Sequence, residues 1–124
     1  MNVLATDKAP GAIGPYSQGI CVNGFIFTSG QIPINPQTGE MPSGIEEQTR
    51  QSLLIVKAIL ESQNSSLSKV IKSTVFLSDM NNFAAMNAVY SEMFGSGPYP
   101  ARSAVQVARL PKDALVEIEV VALA

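Results

Sequence analysis

PYPARSAVQVARLPKDALVEIE, residues 98–119, puts charges where a plain sheet would bury carbon. Arg102 follows a proline-braced turn, and Glu117 and Glu119 sit inside a strongly apolar strand pattern. A charge within a buried strand costs several kcal/mol unless it is paired or hydrogen-bonded. Two readings meet that demand: the glutamates line the wet face of a half-buried strand, or a ligand compensates them. The stretch holds the start of two strand-like runs, Arg102 to Val107 and Leu115 to Leu123, joined by the turn-forming Leu110-Pro111-Lys112-Asp113. The expected arrangement is an antiparallel pair. Across such a turn, one residue of register decides whether Glu117 shares a sheet face with Arg102 or lies opposite it. Glu119 shares the strand face of Glu117 and has its own structural reading, as a partner for a basic residue such as Arg109.

Upstream, Val70 to Leu77 (VIKSTVFL) is β-branched and aromatic, with Lys72 and Thr74 alternating against Ile71 and Val75, and predicts another strand. Between it and Arg102, Phe83, Met86, Tyr90, Met93 and Phe94 recur at helical spacing up to Gly95. Asn87 falls on that apolar face, where its amide reaches either a ligand or a neighbouring loop. Ser43-Gly44-Ile45-Glu46 fits a capping box opening an earlier helix, which buries Leu53, Val56, Ile59 and Leu60 and stops near Asn64. Before that helix, Ile20, Val22, Phe25 and Phe27 flank Asn23-Gly24, the signature of a two-residue hairpin turn. The second hairpin strand ends in Thr28-Ser29-Gly30-Gln31, whose hydroxyl and backbone donors suit either a ligand oxygen or a simple strand-to-loop turn. Asn2 to Ala5 predicts a short edge strand.

The order of elements gives an α+β fold with both helices on one face of a mixed sheet. Leu115, Val121 and Leu123 alternate with Val116, Ile118, Val120 and Ala122, so both faces of the last strand carry apolar residues. Two helices cover only one face, and an uncovered apolar sheet surface points to a homo-oligomer.

A chain of 124 residues with 46% hydrophobic content is read as one domain, residues 1–124, with a substantial core. Residues 1–11 lack the features of a secretory signal, and no stretch approaches a membrane span, so the expected location is cytoplasmic, with no membrane partner. The lone Cys21 has no internal partner and reads as core filling. A net charge of -2, a pI near 5.0 and scattered basic residues argue against a nucleic-acid surface. The chain has no histidine, which removes the usual acid/base at neutral pH and the commonest metal ligand. Chemistry then falls to carboxylates, Lys, Tyr, backbone groups or the substrate itself, with no metal and no cofactor.

The sequence resembles the Rid family (reactive intermediate deaminases, also called YjgF-like), in particular its RidA branch. The resemblance runs through AIGPYSQ (12–18), FTSGQIP (27–33), NPQTGE (35–40), QTRQSLLIVKAILE (48–61), KSTVFLSDMNNFAAMNAVY (72–90) and the 98–119 block. It implies a chorismate-mutase-like α+β fold, related to the ferredoxin-like arrangement, assembled as a homotrimer with ligand clefts between subunits. The implied activity is hydrolysis of 2-iminobutanoate and 2-iminopropanoate, reactive enamine/imine products of pyridoxal-phosphate enzymes, to 2-oxo acids and ammonia. Carried over by the same resemblance, Arg102 binds the substrate carboxylate and Glu117 is the acid linked to water activation. Tyr16, Ser29 and Gly30 line the cleft, and at Ala104 the backbone faces the ligand. Many bacterial relatives carry cysteine at that last position, so no thiol-based activity carries over.

Two other functions fit parts of the sequence. A regulatory protein sensing 2-oxo or 2-imino acids would use the same Arg102 cleft without turnover. RNA cleavage, attributed to some family members, finds no aromatic and basic stripe here.

Overall fold

The computed structural model describes residues 1–124. Six strands form one sheet: β1 (Asn2–Leu4), β2 (Gly19–Val22), β3 (Phe25–Thr28), β4 (Val70–Leu77), β5 (Ala101–Gln106) and β6 (Val116–Leu123). Two helices, α1 (Ile45–Glu61) and α2 (Phe83–Phe94), complete the architecture. The sheet order is β1-β2-β3-β6-β4-β5, antiparallel throughout except for the parallel β4/β5 pair.

The hairpin forms as its sequence dictates. Val22 pairs with Phe25, and Asn23 and Gly24 take φ of 51° and 79°, the left-handed pair that a tight turn between twisted strands requires. The capping box at Ser43 does not form. Gly44 occupies the N-cap with φ 85° and makes no side-chain cap bond, so α1 starts at Ile45 on a conformation that glycine tolerates. The helix ends at Glu61, and Asn64 turns the chain away with φ 61°.

The expected antiparallel pairing of the last two strands is corrected. β4, α2 and β5 form a parallel crossover unit, and β4 lies between β5 and β6. The connection after β5 therefore crosses the end of β4 instead of closing a hairpin. The Val107 N–H donates to the Leu77 carbonyl and the Ser78 N–H to the Leu115 carbonyl, so the crossing chain is fastened to β4 as it passes. Lys112 and Asp113 both adopt positive φ, 55° and 57°, to complete the crossing.

Side chains alternate cleanly along β6. Val116, Ile118, Val120 and Ala122 are buried beneath the helices, while Glu117, Glu119, Val121 and Leu123 face the other side. An 18-residue core joins them to Ile26, Leu53, Val56, Ile59, Val75, Leu77 and Met86. The pattern in β4 breaks at a bulge between Val70 and Lys72, which leaves Ile71 exposed instead of grouped with buried Val75. On the face away from the helices, Phe25, Phe27, Val105 and Leu123 are each between 39% and 46% exposed. No helix is long and apolar enough to cross a membrane.

Candidate functional site

Register decides the relation that sequence left open. Arg102 pairs with Ser73 and so projects to the helix side of the sheet, whereas Glu117 pairs with Phe76 and projects to the open side. Within one chain the two residues lie on opposite faces.

On the helix side, α2 receives the Arg102 guanidinium. Its Nη1 donates to the Asn87 Oδ1 at 2.6 Å, and its central carbon lies 4.8 Å from the Tyr90 ring centroid and 5.4 Å from that of Phe83. Such cation–aromatic contacts stabilise a half-buried guanidinium without neutralising it. Tyr90 is itself fixed by a 2.6 Å hydroxyl contact with Ser73 and by Phe94, whose ring centroid lies 4.5 Å from its own. Burial pushes the Tyr90 phenol above its ordinary range, with the Ser73 bond and the Arg102 charge opposing, so the ring stays neutral at physiological pH. Arg102 makes no ion pair, because the three present link Arg50 to Glu47 and Glu92 and Arg109 to Asp113. The suggested Arg109–Glu119 pair is thus replaced by a contact within the crossing loop. The guanidinium borders a cleft of about 640 Å³ with Asn87, Ser91, Tyr99 and Pro100. Ala104 follows two residues along β5, on the same face, with its methyl against the core.

The open side holds the other candidate residues. Gln31 and Ile118 exchange backbone hydrogen bonds of 2.9 and 3.2 Å, which sets Gly30 against Glu117. A Cβ at Gly30 would lie 2.8 Å from the Glu117 carboxyl carbon, so any larger residue there would push the carboxylate out of this position. The Ser29 hydroxyl donates to the Ser17 carbonyl at 2.5 Å, tying the strand end to the Tyr16 loop. Tyr16, Ser29, Gly30 and Glu117 surround one cleft of about 540 Å³, together with Ile13, Ile32, Ile34 and Lys112.

Glu117 is half-buried, and its carboxylate takes part in no hydrogen bond or ion pair. Burial, reinforced by the neighbouring Glu119 charge, raises its pKa above the ordinary carboxylate range. That is the environment of a carboxylate able to accept and return a proton. No three Cys, Asp or Glu side chains converge as a metal ion would require.

The structure thus gathers four of the sequence-predicted residues in one cleft and places Arg102 at another, while the Ala104 side chain packs against the core and lines neither. Sequence reasoning missed the aromatic clamp of Phe83 and Tyr90, and also Lys112. The Phe83, Asn87, Tyr90 spacing was the available signal, since it sets an amide between two rings on one helical face.

This is an α+β protein with a free guanidinium fork and a free carboxylate at separate clefts on the two sides of one sheet. The profile of the Endoribonuclease L-PSP family matches residues 6–124. The 2-iminobutanoate/2-iminopropanoate deaminase of Escherichia coli K12 is 51% identical over 124 residues, spanning 98% of this chain and 97% of that protein. A RutC family protein of Pyrococcus abyssi is 57% identical over 122 residues, spanning 98% of this chain and 95% of its own. The crystal structure of E. coli TdcF with bound serine superposes with a TM-score of 0.96 at 50% identity, covering 100% of this chain and 99% of that one. The chain belongs to the Rid (YjgF-like) family.

Proposed function

We propose that this protein is a 2-imino acid hydrolase that clears 2-iminobutanoate and 2-iminopropanoate released in the cytoplasm by pyridoxal-phosphate enzymes. The observation that carries the reading is Arg102, a clamped guanidinium at an open cleft with no carboxylate of its own chain to neutralise it. A planar fork of donors grips a substrate carboxylate at two points. The identity to the E. coli deaminase along nearly the whole chain supports the same chemistry.

One cleft offers the grip and the other the base, so a complete site needs both. We infer that it forms between copies of the chain, with the Arg102 cleft of one facing the Glu117 cleft of the next. Two different surfaces meeting in this way make a heterologous contact, which closes into a ring such as a homotrimer. The exposed apolar sheet face supports assembly, because surface of this kind is covered in stable oligomers.

In the assembled site, Arg102 and the backbone at Ala104 hold the carboxylate end, and Tyr16, Ser29 and Gly30 line the far wall. Glu117 takes a proton from water as its oxygen bonds to the imine carbon. The nitrogen then receives a proton from Glu117 or Tyr16, the hydroxyl on the same carbon gives its proton back to the group so deprotonated, and the carbon–nitrogen bond breaks as the carbonyl forms, so that ammonia leaves a 2-oxo acid. Positioning a water beside a fixed electrophile removes much of the entropic barrier, and general-base help adds roughly 10²-fold or more.

A sensor of 2-oxo acids would use the same grip, and the serine bound to E. coli TdcF favours small carboxylate ligands at relatives of this fold. Turnover separates the two. With threonine dehydratase generating 2-iminobutanoate and semicarbazide competing for it, the native protein should suppress semicarbazone formation. Arg102→Ala should lose about 10²-fold in kcat/KM, the loss of about two charge-assisted hydrogen bonds. Binding of 2-oxobutanoate without any effect on semicarbazone would establish the sensor instead.

A further inference from the structure

Arg102 meets three groups of α2, and none carries a charge: the faces of Phe83 and Tyr90 and the amide oxygen of Asn87. A carboxylate in place of that amide would have nearly the same shape and would pair with arginine more strongly. It would also consume the charge that a ligand carboxylate needs. We propose that Asn87 is the positioning residue of the carboxylate grip: its neutral oxygen aims the Arg102 fork into the cleft while leaving the guanidinium charge uncompensated for an anionic ligand. The inference rests on the reading of Arg102 as the carboxylate-binding group.

Three features of the geometry support the assignment. The aromatic faces bracket the guanidinium but do not fix its rotation in its own plane, because a ring attracts a cation without directing individual N–H bonds. The Asn87 contact at 2.6 Å is the only side-chain hydrogen bond Arg102 makes, so it alone sets that rotation. It occupies one of the five guanidinium donors and leaves the rest of the fork available. Asn87 and Arg102 both border the cleft of about 640 Å³, so the oriented fork is presented at its wall and not in the core. Asn87 touches no reacting atom in this scheme. It acts through Arg102.

The test compares Asn87→Asp, Asn87→Ala and Arg102→Ala with the native protein, reading the dissociation constant for 2-oxobutanoate by calorimetry and KM and kcat in the semicarbazide assay. Asn87→Asp is expected to weaken 2-oxobutanoate binding and raise KM by at least tenfold, with a smaller fall in kcat. Asn87→Ala, which loosens the fork without neutralising it, is expected to weaken binding only a few-fold. A purely structural amide predicts the reverse order, because aspartate keeps the shape that alanine loses. If Asn87→Asp binds as tightly as the native protein, or more tightly than Asn87→Ala, while Arg102→Ala has lost binding, the Asn87 assignment is overturned and the arginine grip stands. If Arg102→Ala still binds normally, the grip fails and the inference falls with it. Thermal unfolding of each variant checks folding, and Asn87→Ala keeps the assignment falsifiable should the charged variant not fold.

Discussion

Glu117 is held in a state that works against stability. Its carboxylate is half-buried beside Glu119, no donor compensates it, and its pKa is raised, chiefly by burial. The folded chain therefore binds more protons than the unfolded chain between the ordinary carboxylate range and the raised value, and stability falls as pH rises through that window. Glu117→Gln removes the penalty. It is expected to unfold at a higher temperature than the native protein near neutral pH, and the gap should close as pH drops below the ordinary carboxylate range. A constant gap across that titration would contradict the assignment. The type of residue at this position was legible in the sequence, since a glutamate in an apolar strand demands an explanation. Its pairing with Gly30 was not, because that contact rests on a Gln31–Ile118 bridge that joins segments far apart in the chain. Asn87 was legible only as a polar residue on an apolar face. Its partner on β5 depends on the parallel register.

Elements were most readable where their causes are local. The Asn23-Gly24 hairpin and the end of α2 at Gly95 follow from backbone preferences of the residues themselves. The order of strands was not readable in this way. The insertion of β4 between β5 and β6 is a choice among long-range pairings, and the Pro111-Lys112-Asp113 turn suits a crossing loop as well as a hairpin. What secures that crossing is partly the buried Gln48 of α1, which accepts from the Leu115 N–H at 2.8 Å and donates to the Pro42 carbonyl at 3.0 Å. Gln48→Ala strands both backbone groups and is expected to destabilise the fold by about 1–3 kcal/mol, measured by denaturant unfolding. A loss below a few tenths of a kcal/mol would mean that water replaces the amide without penalty.

At the scale of the whole molecule, the two groups on which the proposed hydrolysis rests, Arg102 and Glu117, stand on opposite sides of the sheet. The helix-side cleft has a cation fork, and the open side has a carboxylate beside a glycine and a serine. An apolar band including Phe25, Phe27 and Leu123 lies on the open side and needs a cover. Phe27→Lys places a charge in that band and is expected to shift the oligomer towards monomer in sedimentation, with loss of imine hydrolysis but retention of the folded core. A fully active monomer would remove the requirement for assembly. The alternation along the last strand and the count of helices foretold the uncovered face but not the separation of Arg102 from Glu117, which follows from β-strand parity and sheet order together.

Complementation between two inactive variants tests the shared site most directly. Arg102→Ala supplies an intact Glu117 cleft and Glu117→Gln an intact Arg102 cleft, and each alone should fail to protect 2-iminobutanoate from semicarbazide. Unfolded together in equal amounts and refolded as mixed rings, they should recover about a quarter of the native activity, the random share of interfaces that join two intact halves. Mixed assemblies confirmed by mass but no more active than either variant alone would contradict a site shared between copies and return Arg102 and Glu117 to separate roles.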